Sequence, residues 1–197
     1  MIRRDKVGQM ATSKKSVQGS SSKSSLHSRR SVQIRTVDGH LVKRGCIVCC
    51  KLAFKWEHSG VYVGKGKIVH LDGDGYLVKT GFQEFLERLD GANPADSVFV
   101  ACNEDGVPHY SRWGKFCADT AEQKYRYMNF VADYNALFRN CHHFTGACLG
   151  FEGESEIAGK ILSMLKFDFG FSWLEDVIKR RYGSVRWVEC DWLDAMR

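Results

Sequence analysis

One cysteine and two distant histidines are the residues of this chain whose types and spacing could perform nucleophilic chemistry. Cys141 lies in the segment Asn-Cys-His-His-Phe at residues 140–144, and His58 and His70 lie twelve residues apart in a stretch rich in valine and glycine. A thiolate attacks a carbonyl carbon efficiently when an imidazole takes the thiol proton and a further group orients that imidazole. The set therefore predicts Cys141 as nucleophile, His58 as general base and His70 as the orienting residue.

The start of a predicted helix would activate the thiol. Asn140 is a favoured N-cap residue, so Cys141 would occupy the first helical turn. There the helix dipole and the unpaired backbone amides stabilise a negative sulfur, and the amide of Cys141 could donate to an oxyanion. Tyr62, Asn140 and His142 are the further candidate neighbours of this site.

Two predicted strands would bring the histidines together. Residues 60–64 and 68–71 are short apolar runs, and Lys-Gly-Lys at 65–67 predicts a tight β-hairpin between them. Residues that face each other across such a pair have Cβ atoms about 5 Å apart. We therefore expect His70 to hydrogen-bond the ring nitrogen of His58 that faces away from the cysteine, which would fix the tautomer of His58.

Periodicity and turn residues predict the other elements. They are a strand or strand pair within 41–54, a short helix at 82–89, a strand at 98–101, a helix at 120–133 opened by a Thr-x-x-Gln capping box, a helix from Cys141, and a helical stretch at 157–182 that is broken at Gly170.

The positive charge of the chain is concentrated at one end. The net charge is +6, but residues 1–36 contain nine Lys or Arg and one acid, whereas residues 37–197 contain 20 basic and 22 acidic residues. The folded part therefore gives no electrostatic reason to expect nucleic-acid binding. Nine serines and few large apolar residues predict that residues 1–36 form a disordered basic tail.

Reduced thiols and a cytoplasmic location are further expectations. The chain has eight cysteines, but 197 residues can build a sizeable core without disulfides, and no secretory apolar segment opens the chain. No run approaches the ~20 apolar residues of a membrane span. No cofactor is predicted.

Spacing alone leaves two other interpretations of the same residues open. In the first, Cys141 is a small core residue and His70 a hydrogen-bonded strand histidine without catalytic roles. In the second, zinc is bound by His142 and His143 together with Cys46, Cys49 or His58. The CxxC at 46–49 favours zinc, although it lies in an apolar strand-like run and no second CxxC follows.

Three segments resemble the LRAT and HRAS-like suppressor family, a circularly permuted branch of the NlpC/P60 papain-like hydrolases. That family carries a histidine followed by Tyr-Val-Gly-x-Gly, then Ile-His-Leu, and later Asn-Cys-Glu-His-Phe. This chain has His-Ser-Gly-Val-Tyr-Val-Gly-Lys-Gly at 58–66, Ile-Val-His-Leu at 68–71, and Asn-Cys-His-His-Phe at 140–144 after Tyr-Asn-Ala-Leu-Phe. The likeness covers about residues 40–150.

The resemblance implies an α+β fold of the circularly permuted papain-like type, with an antiparallel sheet packed against helices. Residues 37–155 would form the LRAT-like catalytic domain, and residues 156–197 a C-terminal helical extension packed on or near it. Carried over by position, Cys141 becomes the family's nucleophile, His58 its base and His70 its second histidine.

The activity that the resemblance implies is a thiol-dependent acyltransferase or acyl hydrolase that forms an acyl-thioester on Cys141 from a lipid ester or another acyl ester. Such a substrate would allow peripheral contact with a membrane. The apolar stretch 157–171 is a candidate for this contact, and the other interpretation of that stretch is a packed core helix. The alternatives are an NlpC/P60-type cysteine peptidase or amidase, and a non-catalytic binding or zinc-stabilised structural domain. The chain departs from the family pattern at His142, where the family has Glu, and at Ser59, where vertebrate members have Trp.

Overall fold

The strands of the protein join in an order that differs from their order along the chain. The computed structural model describes residues 32–51, 57–87, 97–128, 140–151 and 169–193. The strands there are β1 (Arg35–Thr36), β2 (Ile47–Lys51), β3 (Glu57–Gly64), β4 (Lys67–Leu71), β5 (Leu77–Thr80), β6 (Val98–Cys102) and β7 (Arg186–Asp191). They lie side by side as β1-β7-β6-β2-β3-β4-β5, and every neighbouring pair is antiparallel.

Helices cover both faces of this sheet. Those in the described residues are α1 (Phe82–Glu87), α2 (Arg112–Tyr127), α3 (Cys141–Cys148) and α4 (Phe169–Tyr182). Because successive side chains of a strand point to opposite faces, β3 sends Tyr62 into a core with Phe82 of α1, and sends Val61 into a second core with residues of α2, α3 and α4. The sheet is therefore buried on both sides around its central strands.

The hairpin predicted from residues 60–71 is confirmed. β3 and β4 pair antiparallel, with Gly60 opposite His70 and Gly64 opposite Lys67. The turn residues Lys65 and Gly66 have φ values of 54° and 69°, the left-handed conformation that a type I′ two-residue hairpin turn requires at both positions. A register irregularity between Tyr62 and Gly64 accompanies the turn.

The predicted C-terminal helical extension contains a helix, α4, but also a strand that was not predicted. Residues 186–191 form β7, which lies inside the sheet between β1 and β6. The alternation of buried Val188 and Cys190 with exposed Glu189 is the period of a strand. α4 begins at Phe169, so Gly170 lies in its first turn, and the part of the predicted helical stretch before Gly170 lies almost wholly outside the described residues. Residues 157–168, including most of the proposed membrane-surface stretch, lie outside the described residues.

Two other predicted boundaries also move. α2 begins at Arg112 with Ser111 as its N-cap, so the Thr120 capping box falls inside the helix; the predicted end at residue 133 lies outside the described residues. Ordered structure starts before residue 37, because Ile34 is buried and Arg35–Thr36 pair with β7. Residues 1–31 of the predicted tail lie outside the described residues.

The broad class of the fold matches the expectation. The described residues form a mixed α/β structure in which an antiparallel sheet is packed against helices. None of the helices described here has the length and apolar character to cross a membrane.

Candidate active site

A buried chain of hydrogen bonds links the two predicted histidines. Nε2 of His58 on β3 lies 2.9 Å from Nδ1 of His70 on β4. Nε2 of His70 in turn lies 2.9 Å from Oγ1 of Thr80 at the end of β5. Both imidazoles are buried. The predicted contact across the hairpin is therefore confirmed, and the structure extends it by one strand to a hydroxyl group that the sequence did not indicate.

Phe85 of α1 holds both rings in place. Its ring centroid lies 4.8 Å from that of His58 and 5.0 Å from that of His70, and the two imidazoles meet edge to face at 4.8 Å. Gly60, opposite His70, leaves the space for this arrangement. A Cβ atom at position 60 would lie 2.7 Å from Cγ2 of Ile68 and 3.0 Å from Cβ of His70.

Cys141 occupies the first residue of α3, as predicted. Asn140 is the N-cap, and its Oδ1 accepts hydrogen bonds from the backbone amides of His142 at 3.0 Å and His143 at 3.2 Å. The Cys141 side chain is 6% exposed and belongs to the core beneath α3.

Ser59 attaches α3 to β3. Its Oγ lies 2.9 Å from Oγ1 of Thr145 and 3.0 Å from Nδ1 of His142. Ser59 and Thr145 are fully buried, and Oγ1 of Thr145 donates to the carbonyl oxygen of Cys141 at 2.8 Å. The first turn of α3, which carries Cys141, therefore lies beside the start of β3, which carries His58.

His143, the second histidine after the cysteine, contacts the N-cap residue and α4. Its Nδ1 lies 3.1 Å from Oδ1 of Asn140, and its ring centroid lies 4.9 Å from that of Trp173 on α4. Burial lowers the pKa of His143 to about 4, so the ring is neutral at pH 7. A neutral ring that bonds an amide oxygen through Nδ1 must carry its proton there.

Tyr62, a predicted neighbour of the site, contacts the hairpin turn. Its hydroxyl accepts a hydrogen bond from the backbone amide of Gly66 at 3.3 Å, and its ring packs on Phe82 at 5.9 Å. Burial raises the pKa of the Tyr62 hydroxyl, an effect that the bond from Gly66 partly offsets. These contacts fix the turn between the two strands that carry the histidines.

The cysteines of the chain are buried thiols. All eight fall within the described residues, and no disulfide joins them. Burial raises the pKa of Cys46 to about 12 and that of Cys117 also well above its ordinary value, so these two thiols are protonated and unreactive. Within the described part of the chain, no group of three or more His, Cys, Asp or Glu side chains is arranged to hold a metal ion, so the zinc interpretation gains no ligand set there.

Sequence reasoning missed three contributors to this site: Thr80, Phe85 and Thr145. Thr80 bonds His70 from the next strand, Phe85 packs on both histidine rings from α1, and Thr145 bonds the carbonyl of Cys141 within α3. No local motif marks any of the three. One signal was available for Thr80. Val78 of β5 lies opposite His70, and Thr80, two residues further along β5, has its side chain on the same face of the sheet.

Comparison of the chain with protein-family models, curated proteins and solved structures gave no match in any of the three.

Proposed function

We propose that the protein is a thiol-dependent acyltransferase or acyl hydrolase in which Cys141 is the nucleophile and His58 the general base. The observation that carries this proposal is the buried hydrogen bond between His58 and His70, an arrangement that orients an imidazole base. The position of Cys141 at the first residue of α3 supports its role as nucleophile, and the contact of His58 with the Cys141 sulfur is part of what we propose. The resemblance to the LRAT family supports a lipid ester as acyl donor and a circularly permuted papain-like fold. We expect this activity in the cytoplasm, with peripheral contact to membranes where the donor is a phospholipid.

The base role of His58 sets the direction of the hydrogen-bond chain. Because Nε2 of His58 is engaged by His70, proton exchange with the thiol has to use Nδ1. A neutral His58 with a lone pair on Nδ1 carries its proton on Nε2 and donates it to Nδ1 of His70. His70 then carries its proton on Nε2 and donates it to Oγ1 of Thr80. This direction stabilises the imidazolium that forms when His58 takes the thiol proton.

The chemistry follows in two halves. The proton of Cys141 moves to Nδ1 of His58, the sulfur attacks the carbonyl carbon of the acyl donor, and the donor C–O bond breaks as the leaving alcohol takes the proton from His58. The backbone amide of Cys141 is the oxyanion donor in this step. In the second half, water or an acceptor alcohol or amine gives its proton to His58 and attacks the thioester, which releases the thiolate.

Intact-protein mass spectrometry with a short-chain acyl ester and with phospholipid vesicles tests the proposal. We expect an acyl adduct that Cys141→Ala removes and that Cys148→Ala, which alters a buried thiol at the other end of the same helix, leaves intact. His58→Ala should slow acylation by about 10² to 10⁴-fold, the usual contribution of a general base. His70→Asn should retain part of the rate, because its amide oxygen can accept where Nδ1 of His70 accepts.

The same measurements separate the alternatives. Peptide cleavage without ester turnover would indicate a peptidase or amidase of the NlpC/P60 type. Stoichiometric zinc with no labelled cysteine would refute both enzyme proposals, and full acylation by His58→Ala would remove His58 from the mechanism.

A further inference from the structure

The hydrogen bonds between β3 and α3 have only one possible direction. The carbonyl oxygen of Cys141 can only accept, so the single hydroxyl proton of Thr145 is used in their 2.8 Å contact. The 2.9 Å contact between Thr145 and Ser59 must then use the proton of Ser59. With both hydroxyl protons assigned, the 3.0 Å contact between Ser59 and His142 requires that Nδ1 of His142 is the donor.

We infer that His142, Ser59 and Thr145 form a positioning chain that holds the nucleophile in register with the base, an inference that rests on the proposed function. The chain runs from Nδ1–H of His142 through Ser59 and Thr145 to the carbonyl of Cys141 itself. Ser59 follows His58 directly in β3, so the residue that anchors α3 is the sequence neighbour of the proposed base. A shift of α3 along β3 by even one atom's width would break a buried hydrogen bond.

The surroundings show that this chain is built into the fold. Ser59 and Thr145 are fully buried and His142 is 5% exposed. The ring of His142 packs edge-on against Phe171 of α4 at 5.6 Å. Ser59 and His142 are also the two positions at which the chain departs from the LRAT pattern, and the structure makes them partners in one hydrogen bond.

The consequence for function is specific. These side chains are not assigned contact with the reacting atoms, so their loss should displace the sulfur relative to the imidazole rather than remove a chemical group. Displacements of about 1 Å in an active site can cost on the order of 100-fold in rate. We therefore expect kcat to fall about 10- to 100-fold with KM little changed, and the pH at which Cys141 ionises to move toward that of an ordinary thiol.

Matched pairs of variants test the inference. Thr145→Val removes the hydroxyl at nearly constant shape, whereas Thr145→Ser keeps it. His142→Leu removes the donor, whereas His142→Asn places an amide N–H where Nδ1 lies. We expect Thr145→Val and His142→Leu to show the loss of kcat and the shifted pH profile of iodoacetamide alkylation at Cys141, and Thr145→Ser and His142→Asn to restore both. Equal activity and equal alkylation profiles within each pair, at comparable melting temperature, would overturn the inference.

A second measurement does not depend on activity. The imidazole nitrogen chemical shifts of the protein can be measured by NMR, and the signals that disappear in His142→Asn belong to His142. We expect these signals to show that His142 carries its proton on Nδ1. A proton on Nε2 would refute the hydrogen-bond chain. If the wild-type protein forms no acyl adduct, the proposed function fails and the catalytic part of this inference fails with it, while the nitrogen shifts still decide the hydrogen-bond chain. If the wild type is acylated and the variants match it, the positioning chain alone is refuted.

Discussion

Burial of His143 should make the protein sensitive to mild acid. The pKa of His143 is lowered by burial to about 4, whereas a histidine in the unfolded chain titrates near ~6.5. Between these values the unfolded state binds the proton and the folded state does not, so folding loses free energy as the pH falls below about 6.5 and the loss is complete below about 4. Above pH 6.5 both states are neutral and the effect vanishes.

The size of the effect follows from the same two values. Integrating the difference in proton binding between pH 7.5 and pH 5 gives a loss of roughly 2 kcal/mol from His143. His143→Asn removes the titration and keeps a donor near Oδ1 of Asn140, which Nδ1 of His143 contacts at 3.1 Å. We expect the variant to lose about 2 kcal/mol less than the wild type between these two pH values.

Urea denaturation at pH 7.5 and pH 5 measures this difference. Any cost of losing the packing of His143 on Trp173 appears at both pH values and cancels, so the comparison rests on the pH-dependent part alone. His109, whose pKa burial also lowers, remains in both proteins and contributes equally. The reasoning is refuted if wild type and variant lose the same free energy of unfolding on acidification.

Two further substitutions probe the elements that position the site. Asn140→Ala removes the side-chain oxygen that accepts from two backbone amides and one imidazole, and should lower the free energy of unfolding by about 1–3 kcal/mol in thermal denaturation. Asn140→Asp keeps this acceptor. Equal stability of the two variants would show that the N-cap does not stabilise α3. Gly60→Ala should cost about 1–3 kcal/mol, because its Cβ would lie 2.7 Å from Ile68 and 2.9 Å from the carbonyl oxygen of Val69. Gly73→Ala, with nothing within 4 Å, is the matched control, and a similar loss in both would show that crowding is not the cause.

Local signals predicted the parts of the site that depend on local structure. The hairpin of β3 and β4 followed from a Gly-containing turn between apolar runs, and the start of α3 from an Asn before Cys141. In both cases the residues that determine the geometry are adjacent in sequence. The contact between His58 and His70 was predictable for the same reason, since a tight turn fixes the register of the two strands that carry them.

The start of α2 was missed because its buried face consists of small residues. Gly114, Cys117, Ala118 and Ala121 recur at helical spacing, but they lack the bulk that marks an apolar stripe in the sequence. The Thr-x-x-Gln pattern inside the helix therefore predicts a beginning that lies too far along the chain. The true N-cap is Ser111, whose hydroxyl accepts from the amide of Trp113.

The place of β7 and the bonds of Ser59 could not be read from the sequence, because both depend on contacts across long separations. β7 pairs with β6 across more than 80 residues, and Ser59 meets His142 across 83. The apolar alternation of β7 is limited to Val188 and Cys190. It is too short to distinguish a strand from the end of a helix. Such contacts are fixed by how the sheet and helices pack, which no local pattern encodes.

β3 connects the two halves of the proposed mechanism. Because side chains alternate along a strand, His58 packs with Phe85 of α1 and bonds His70, while the next residue, Ser59, bonds α3. A slip of β3 by one residue would exchange these two side chains and break both hydrogen-bond chains at once. The pairing of β3 with both β2 and β4 opposes such a slip, so the sheet holds His58 and Ser59, the anchor of α3, in one register. Loss of either chain should therefore alter the reactivity of Cys141 in the same direction, although only the loss of His58 removes the base itself.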